Sequence, residues 1–253
     1  MAVDAPAPRE TDRASAGAGP LASLLSVLQL SDSAFPSGRY TLSYGLETVA
    51  QSGHLERPPE SSALIALLAD SIQFGVAPSD GVALACAHRA VDPAGDVDLE
   101  RVARVELRLT AVKLAREARE ASARTGRAVL AAATAALDAS GLYEYAEHVR
   151  RGCLPANHAV VVGLLSALLN IPALDAVVGE LYAFSSGWIA AAVRLSLVDH
   201  RMAQRVLHRL RPVIAHAALE AANREVSEIS SCTPLLDVMA MRHEQAELRL
   251  FAT

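Results

Sequence analysis

Aromatic residues are scarce in this sequence, 4% of 253 residues, although 52% are hydrophobic, so alanine and leucine must do most of the packing. Material rich in Ala and Leu favours helices over strands. A basic excess is also missing: the formal net charge of -5 argues against a nucleic-acid-binding surface. Cysteine is limited to Cys86, Cys153 and Cys232, with no CxxC pair. That scatter leaves no disulfide framework and points to a reducing, cytoplasmic compartment. Asp4, Arg9, Glu10, Asp12 and Arg13 precede any apolar run, unlike a signal peptide. The strongest apolar stretches, Ala159–Leu169 and Ile189–Val193, are too short to span a bilayer, so no membrane association is expected. Catalytic signatures are lacking too: no GxSxG elbow, no GxxxxGK[ST] loop, no HExxH.

Helical periodicity is what the chain does have. It predicts an all-α, single-domain bundle of roughly ten helices. A disordered N-terminal segment (1–19) precedes the helical domain (20–231), and a C-terminal tail with a short helix (232–253) follows it. Pro20 opens a first helix with Leu21, Leu24, Leu25 and Leu28 on one stripe. A second is expected from Tyr40 to Gln51, with Leu42, Leu46 and Val49 on one face and Tyr40, Tyr44, Glu47 and Gln51 on the other. Two tyrosines on that second face fit either a helix buried on both sides or a partner-docking surface. Pro58 starts a helix that Pro78 interrupts, and Ser79 or Asp80 caps the next, through Arg89. Cys86 and His88, two apart, point away from each other and read as packing or surface groups. Further helices are expected at Leu99–Ser122, at Ala128–Ala139 after Gly126 and Arg127, and at His158–Leu169 capped by Asn157. Another runs from Pro172 through Leu195, and Pro212 should kink or break the last long helix. Arg116, Glu117, Arg119 and Glu120 read as a solvated end. His200, His208 and His216 recur every eight residues, about 12 Å apart along a helix, too far to chelate one ion. In the tail Thr233 caps, Pro234 takes the first helical position and Asp237 the opening turn. Leu248, Leu250 and Phe251 would expose apolar surface unless docked, in this domain or in a partner's groove.

Asp32, Ser33, Pro36, Gly38, Tyr40, Ser43, Gly45, Leu46 and Glu47 together resemble the signature of the urease accessory protein F family. Its form is D-S-x-x-P-x-G-[GA]-aromatic-x-x-S-x-G-hydrophobic-E. Ser122 with Gly126-Arg127, His158 with Gly163, and the tail residues Pro234, Asp237, His243-Glu244 and Arg249-Leu250-Phe251 are further points of similarity. Departures fall at Arg39, where a glycine is usual, at Leu42, and at Leu197–Ala203, where a Pro-Leu-Gly-Gln loop is replaced and only Gln204 survives. Losing that proline and its glycines is expected to leave the helix there more continuous.

The resemblance implies a cytoplasmic homodimer that is not an enzyme and carries no cofactor or metal site. It would bind urease accessory protein D (also called H) and recruit the GTPase urease accessory protein G. Through that complex it would support nickel insertion into apo-urease, as a scaffold. Asp32, Pro36, Gly38, Tyr40, Tyr44, Glu47, Arg194, Pro234, Asp237, His243, Glu244, Arg249 and Phe251 then become candidate partner-binding residues, by contact or by holding the docking surface in shape. Arg194, an arginine among Ala190–Leu197, must snorkel, pair or face a partner, and with Glu47 it is a candidate for coupling to the GTPase. His158 is read as satisfying backbone groups near a helix start, ahead of a nickel contact. The alternative is a nickel-binding metallochaperone or a helical enzyme acting without partners, drawing on eight histidines and three cysteines.

Overall fold

The computed structural model describes residues 10–56, 58–137, 140–247 and 249–253. Ten helices follow in order: α1 (Glu10–Ser31), α2 (Leu46–Gln51), α3 (Ser61–His88), α4 (Leu99–Val112), α5 (Arg116–Ala136), α6 (Tyr143–Arg150), α7 (His158–Leu168), α8 (Ala173–Arg194), α9 (His200–Ala222) and α10 (Pro234–His243). No strand occurs among the described residues. The bundle is all-α, as composition predicts.

Helix α7 is apolar all round and so must be enclosed. It runs between the C-terminal half of α3, α5 and α8, with Val160, Leu164 and Leu165 fully buried. α9 then closes over α8 and α3. Gly126 makes the α5–α7 approach possible: it lies within α5, not before it, and a Cβ there would stand 1.9 Å from the Ala156 carbonyl oxygen. By length and composition α3 and α8 are long and apolar enough to cross a bilayer, more than the shorter runs weighed in the sequence; here both pack into the core.

Two expected breaks do not occur, and one falls where a continuous helix was expected. Pro78 does not stop α3. The helix widens to a π-helical segment, Ser71–Gly81, and continues. Proline removes an amide donor from an α-helical ladder. The Phe74 carbonyl, four residues back, instead accepts from Cys232 N at 2.8 Å, and Pro78 O accepts from Ser230 N at 3.0 Å. Conversely, the continuous helix expected over Leu99–Ser122 breaks at Lys113–Ala115. Lys113 turns away to hold the Asp80 carboxylate at 2.7 and 2.9 Å, while Arg119 Nη1 donates to the Lys113 and Leu114 carbonyls, both at 2.7 Å. A side chain thereby satisfies carbonyls that a helix end leaves open. α9 runs unbroken through Pro212.

Residues 1–9 lie outside the described residues, and α1 runs from Glu10 through Pro20 to Ser31. Its Val27 and Leu30 pack on the core, and Ser31 Oγ donates to Gly179 O of α8 at 3.3 Å. Leu21, Leu24, Leu25 and Leu28 face outward instead, because α8 meets the opposite side of the helix.

Candidate functional site: the tail docked on the 38–47 segment

Three residues between 38 and 45 take positive φ: Gly38 at 76°, Tyr44 at 54° and Gly45 at 82°. A right-handed helix cannot pass through them. The expected helix from Tyr40 is therefore a single 3₁₀ turn, Arg39–Thr41, an extended Leu42, and then α2 from Leu46. Tyr40, Tyr44, Glu47 and Gln51 consequently do not share one face. Tyr40 is 62% exposed, Tyr44 packs edge-on against Phe184 at 4.8 Å between ring centres, and Glu47 is wholly buried.

The C-terminal tail returns to this segment. Ala252 N donates to Thr41 O at 2.8 Å and Ser43 N to Thr253 O at 3.1 Å; the Ser43 hydroxyl also donates to Thr253 O. Glu47 accepts from Leu250 N at 2.9 Å, Phe251 N at 3.1 Å and Gln51 Nε2 at 3.2 Å. Its second oxygen lies 3.2 Å from His243 Nε2. The other ring nitrogen of His243 lies 2.7 Å from Glu117, which also accepts from Arg249 Nη1 at 2.8 Å. Glu244 accepts from Glu117 N at 3.2 Å, in the first turn of α5 where a carboxylate suits the open amides and the dipole. Two carboxylates thus bracket one buried imidazole, with the Arg249 guanidinium beside Glu117. Glu47 and His243 cannot touch a partner directly, since both have no exposed surface; they fix where the tail lies. Leu248 lies outside the described residues.

Arg194 closes the arrangement from α8. Its guanidinium carbon stands 4.0 Å from the Tyr40 ring centre and 4.4 Å from that of Phe251, so one cation stacks on the signature segment and on the tail. A cleft with an accessible volume of about 180 Å³, open to solvent, runs beside this junction between Arg39, Lys113, His158 and Asp237. Burial pushes the Asp237 carboxyl up, against hydrogen bonds from Thr233. Asp32 and Pro36 sit apart, exposed, with Asp32 Oδ1 accepting from Ala34 N at 2.8 Å to shape the turn. Pro234 occupies the first turn of α10 as expected, though Thr233 makes no side-chain cap.

A model of the UreF family matches residues 60–211, from the start of α3 into α9. A urease accessory protein UreF of Trichodesmium erythraeum is 32% identical over 229 residues, 90% of this chain and 96% of that protein. Proteins of the same name from a Bradyrhizobium species and from Cereibacter sphaeroides are each 32% identical, over 93% and 92% of this chain and 94% and 99% of their own lengths. The chain belongs to the UreF family. The segment that receives the tail precedes the stretch matched by the UreF model, and the tail follows it.

Where the UreF resemblance expects a glycine, Arg39 turns inward. Its Nη1 donates to Glu180 Oε2 at 2.8 Å and approaches His158 Nε2 at 3.1 Å, and its Nε donates to Tyr44 Oη at 3.2 Å. Burial alone would raise the Glu180 carboxyl, but Arg39 and then His158 outweigh it and hold the group down at about 2. Burial likewise pulls against the charge on Arg39, and Glu180 and Tyr44 return it above the ordinary arginine value. The His158 ring therefore meets side chains, not the backbone groups expected of it; its Nδ1 has no partner among the described residues. The second departure does not merge helices. Ser196 takes φ 56°, α8 ends at Arg194, and Asp199 caps α9 by accepting from Met202 N at 2.6 Å.

Sequence reasoning missed Glu117 and Glu106. Glu117 sits in a mixed-charge run that reads as solvated, yet it is only 8% exposed. Glu106 was legible: it falls on the Val102–Leu109 stripe, an acid where the period demands an apolar residue. It accepts from Tyr145 Oη at 2.6 Å and from Asn157 Nδ2 at 2.6 Å, so Asn157 spends its side chain here instead of capping α7. Burial raises the Glu106 carboxyl, and these hydrogen bonds oppose it. Among the described residues no three His, Cys, Asp or Glu side chains are grouped to hold a metal ion.

Proposed function

We propose that the chain is a non-catalytic helical scaffold, acting as a cytoplasmic homodimer. In this reading it binds urease accessory protein D/H, recruits the GTPase urease accessory protein G, and supports nickel insertion into apo-urease. One observation carries the reading. The inner side of the tail is committed to Glu47, Glu117 and Arg194, while its outer side leaves Leu235, Val238, Met241 and Leu250 exposed. Apolar surface held in a fixed shape suits a protein partner, because its desolvation drives association and its rigidity lowers the entropic cost. Relatives bearing the name urease accessory protein support the direction of the assignment.

Tyr40, Arg194, Arg249 and the outer side of α10 then form the docking surface. Glu47, His243, Glu244 and Phe251 hold it in shape, Asp32, Pro36 and Gly38 set the receiving turn, and Pro234 and Asp237 start the helix. Tyr44 belongs with the supporting group, given its packing on Phe184. Pull-down of the D-type partner by a chain ending at Ser231 tests this; undiminished binding removes the tail from the interface. Val238→Glu with Met241→Glu should abolish capture while leaving the helix content of the chain unchanged. Equilibrium dialysis with nickel addresses the metallochaperone alternative, which tight stoichiometric binding by the isolated chain would favour.

A further inference from the structure

The outward face of α9 carries a charge pattern that the tail site does not use. Between His200 and Leu219 there is no acidic residue, while Arg201, Arg205, Arg209 and Arg211 are all exposed, with His200 and His208 beside them. Arg201, Arg205 and Arg209 follow one another at i, i+4 and i+8, a ridge with about 6 Å per step along the helix. Among the described residues none of these four guanidiniums pairs with a carboxylate; Arg205 has only the Met202 sulfur, at 3.8 Å. The flanking acids are engaged elsewhere, Asp199 on Met202 N and Glu220 with His216 and Arg224. Several arginines elsewhere, among them Arg39, Arg104, Arg116, Arg150, Arg151 and Arg249, do meet carboxylates.

We infer that this ridge is a docking surface for an acidic segment of a protein partner, separate from the tail. Guanidinium forks pair bidentately with carboxylates, which favours Arg over any diffuse cation for such a role. Charge balance argues for a short ligand. Four of the 23 basic residues lie on the ridge, leaving 19 against 28 acidic residues over the rest of the molecule. A long polyanion such as nucleic acid would run off the ridge into repulsion, whereas a segment of about three helical turns matches its length. A two-fold contact with a second copy would set like charges against each other. An anionic membrane would want an apolar anchor, and no large hydrophobic residue is exposed between 200 and 211.

The test is fluorescence anisotropy of the full chain with a labelled glutamate-rich helical peptide of about 20 residues. Binding should weaken about tenfold between about 50 and about 300 mM salt. It should weaken more than about tenfold in Arg201→Glu/Arg205→Glu/Arg209→Glu, and stay within about twofold in Arg150→Glu/Arg151→Glu. The neutral Arg201→Gln/Arg205→Gln/Arg209→Gln chain, expected to lose affinity to a lesser degree, serves if the reversal does not fold. Peptide binding unaltered by either triple change overturns the inference. So does tighter binding of duplex DNA or phosphatidylserine vesicles through the same arginines, or salt-dependent self-association that the triple change removes.

Discussion

Arg194 lies between the rings of Tyr40 and Phe251, with its guanidinium carbon 4.0 and 4.4 Å from their centres. A residue of α8 thus joins a turn near the start of the domain to the tail that returns to it. Each such contact is worth about 0.5–2 kcal/mol depending on desolvation. Arg194→Ala should therefore speed amide exchange at Phe251 and Ala252 by about tenfold or more, with little change in global unfolding. Unchanged protection of those amides would show that the tail is held without this cation.

Glu47 supplies the acceptor for two tail amides and lies 3.2 Å from His243 Nε2. Removing a buried acceptor costs about 1–3 kcal/mol for each donor left unsatisfied, about 3–5 kcal/mol here. Glu47→Ala should lower the thermal midpoint by about 10 °C in a chain of this size. Glu47→Gln keeps an amide oxygen for the two N–H groups and should lose less. Equal losses in the two variants, read by calorimetry, would mean that the charge matters and the hydrogen bonds do not.

Gly126 has no room for a methyl group, with the Ala156 carbonyl 1.9 Å from where its Cβ would stand. Backbone cannot yield as a flexible side chain does, so Gly126→Ala should cost more than about 4 kcal/mol and leave little soluble protein. Gly19, also helical, meets nothing within 4 Å. Gly19→Ala should be neutral or stabilising by up to about 1 kcal/mol in urea titration.

Acid sensitivity has a definite sign at Glu180, whose carboxyl falls from the ordinary 4.5 to about 2 in the folded chain. Between those values the unfolded chain binds a proton that the folded one does not, so stability rises with pH across the window. The contribution is complete above 4.5 and is lost as pH falls through about 2. Glu180→Gln should flatten the urea midpoint against pH below about 4.5. Glu106 runs the other way: its raised carboxyl makes the folded state bind more protons above 4.5, and its contribution declines as pH rises from there. Glu106→Gln should remove that decline. A Glu180→Gln acid limb as steep as that of the unaltered chain would contradict the pairing with Arg39.

What the sequence determined alone was local. Leu64, Leu67, Leu68 and Ile72 recur at helical spacing, Leu67 partly buried and the other three fully; Pro234 starts α10; the all-round apolar run of α7 is enclosed. Such features follow from period and cap chemistry within a few residues, which any reading of the chain can see. Tertiary structure decided the rest. Glu117 meets His243 across 126 positions and Arg39 meets Glu180 across 141, and no local pattern announces either pair. Tyr40 and Tyr44 parted because Gly38, Tyr44 and Gly45 took left-handed backbone, interrupting the helical period on which their shared face depended. A buried charge must find its counter-ion wherever packing brings one, so the destination of the tail was settled by three-dimensional proximity and not by spacing along the chain.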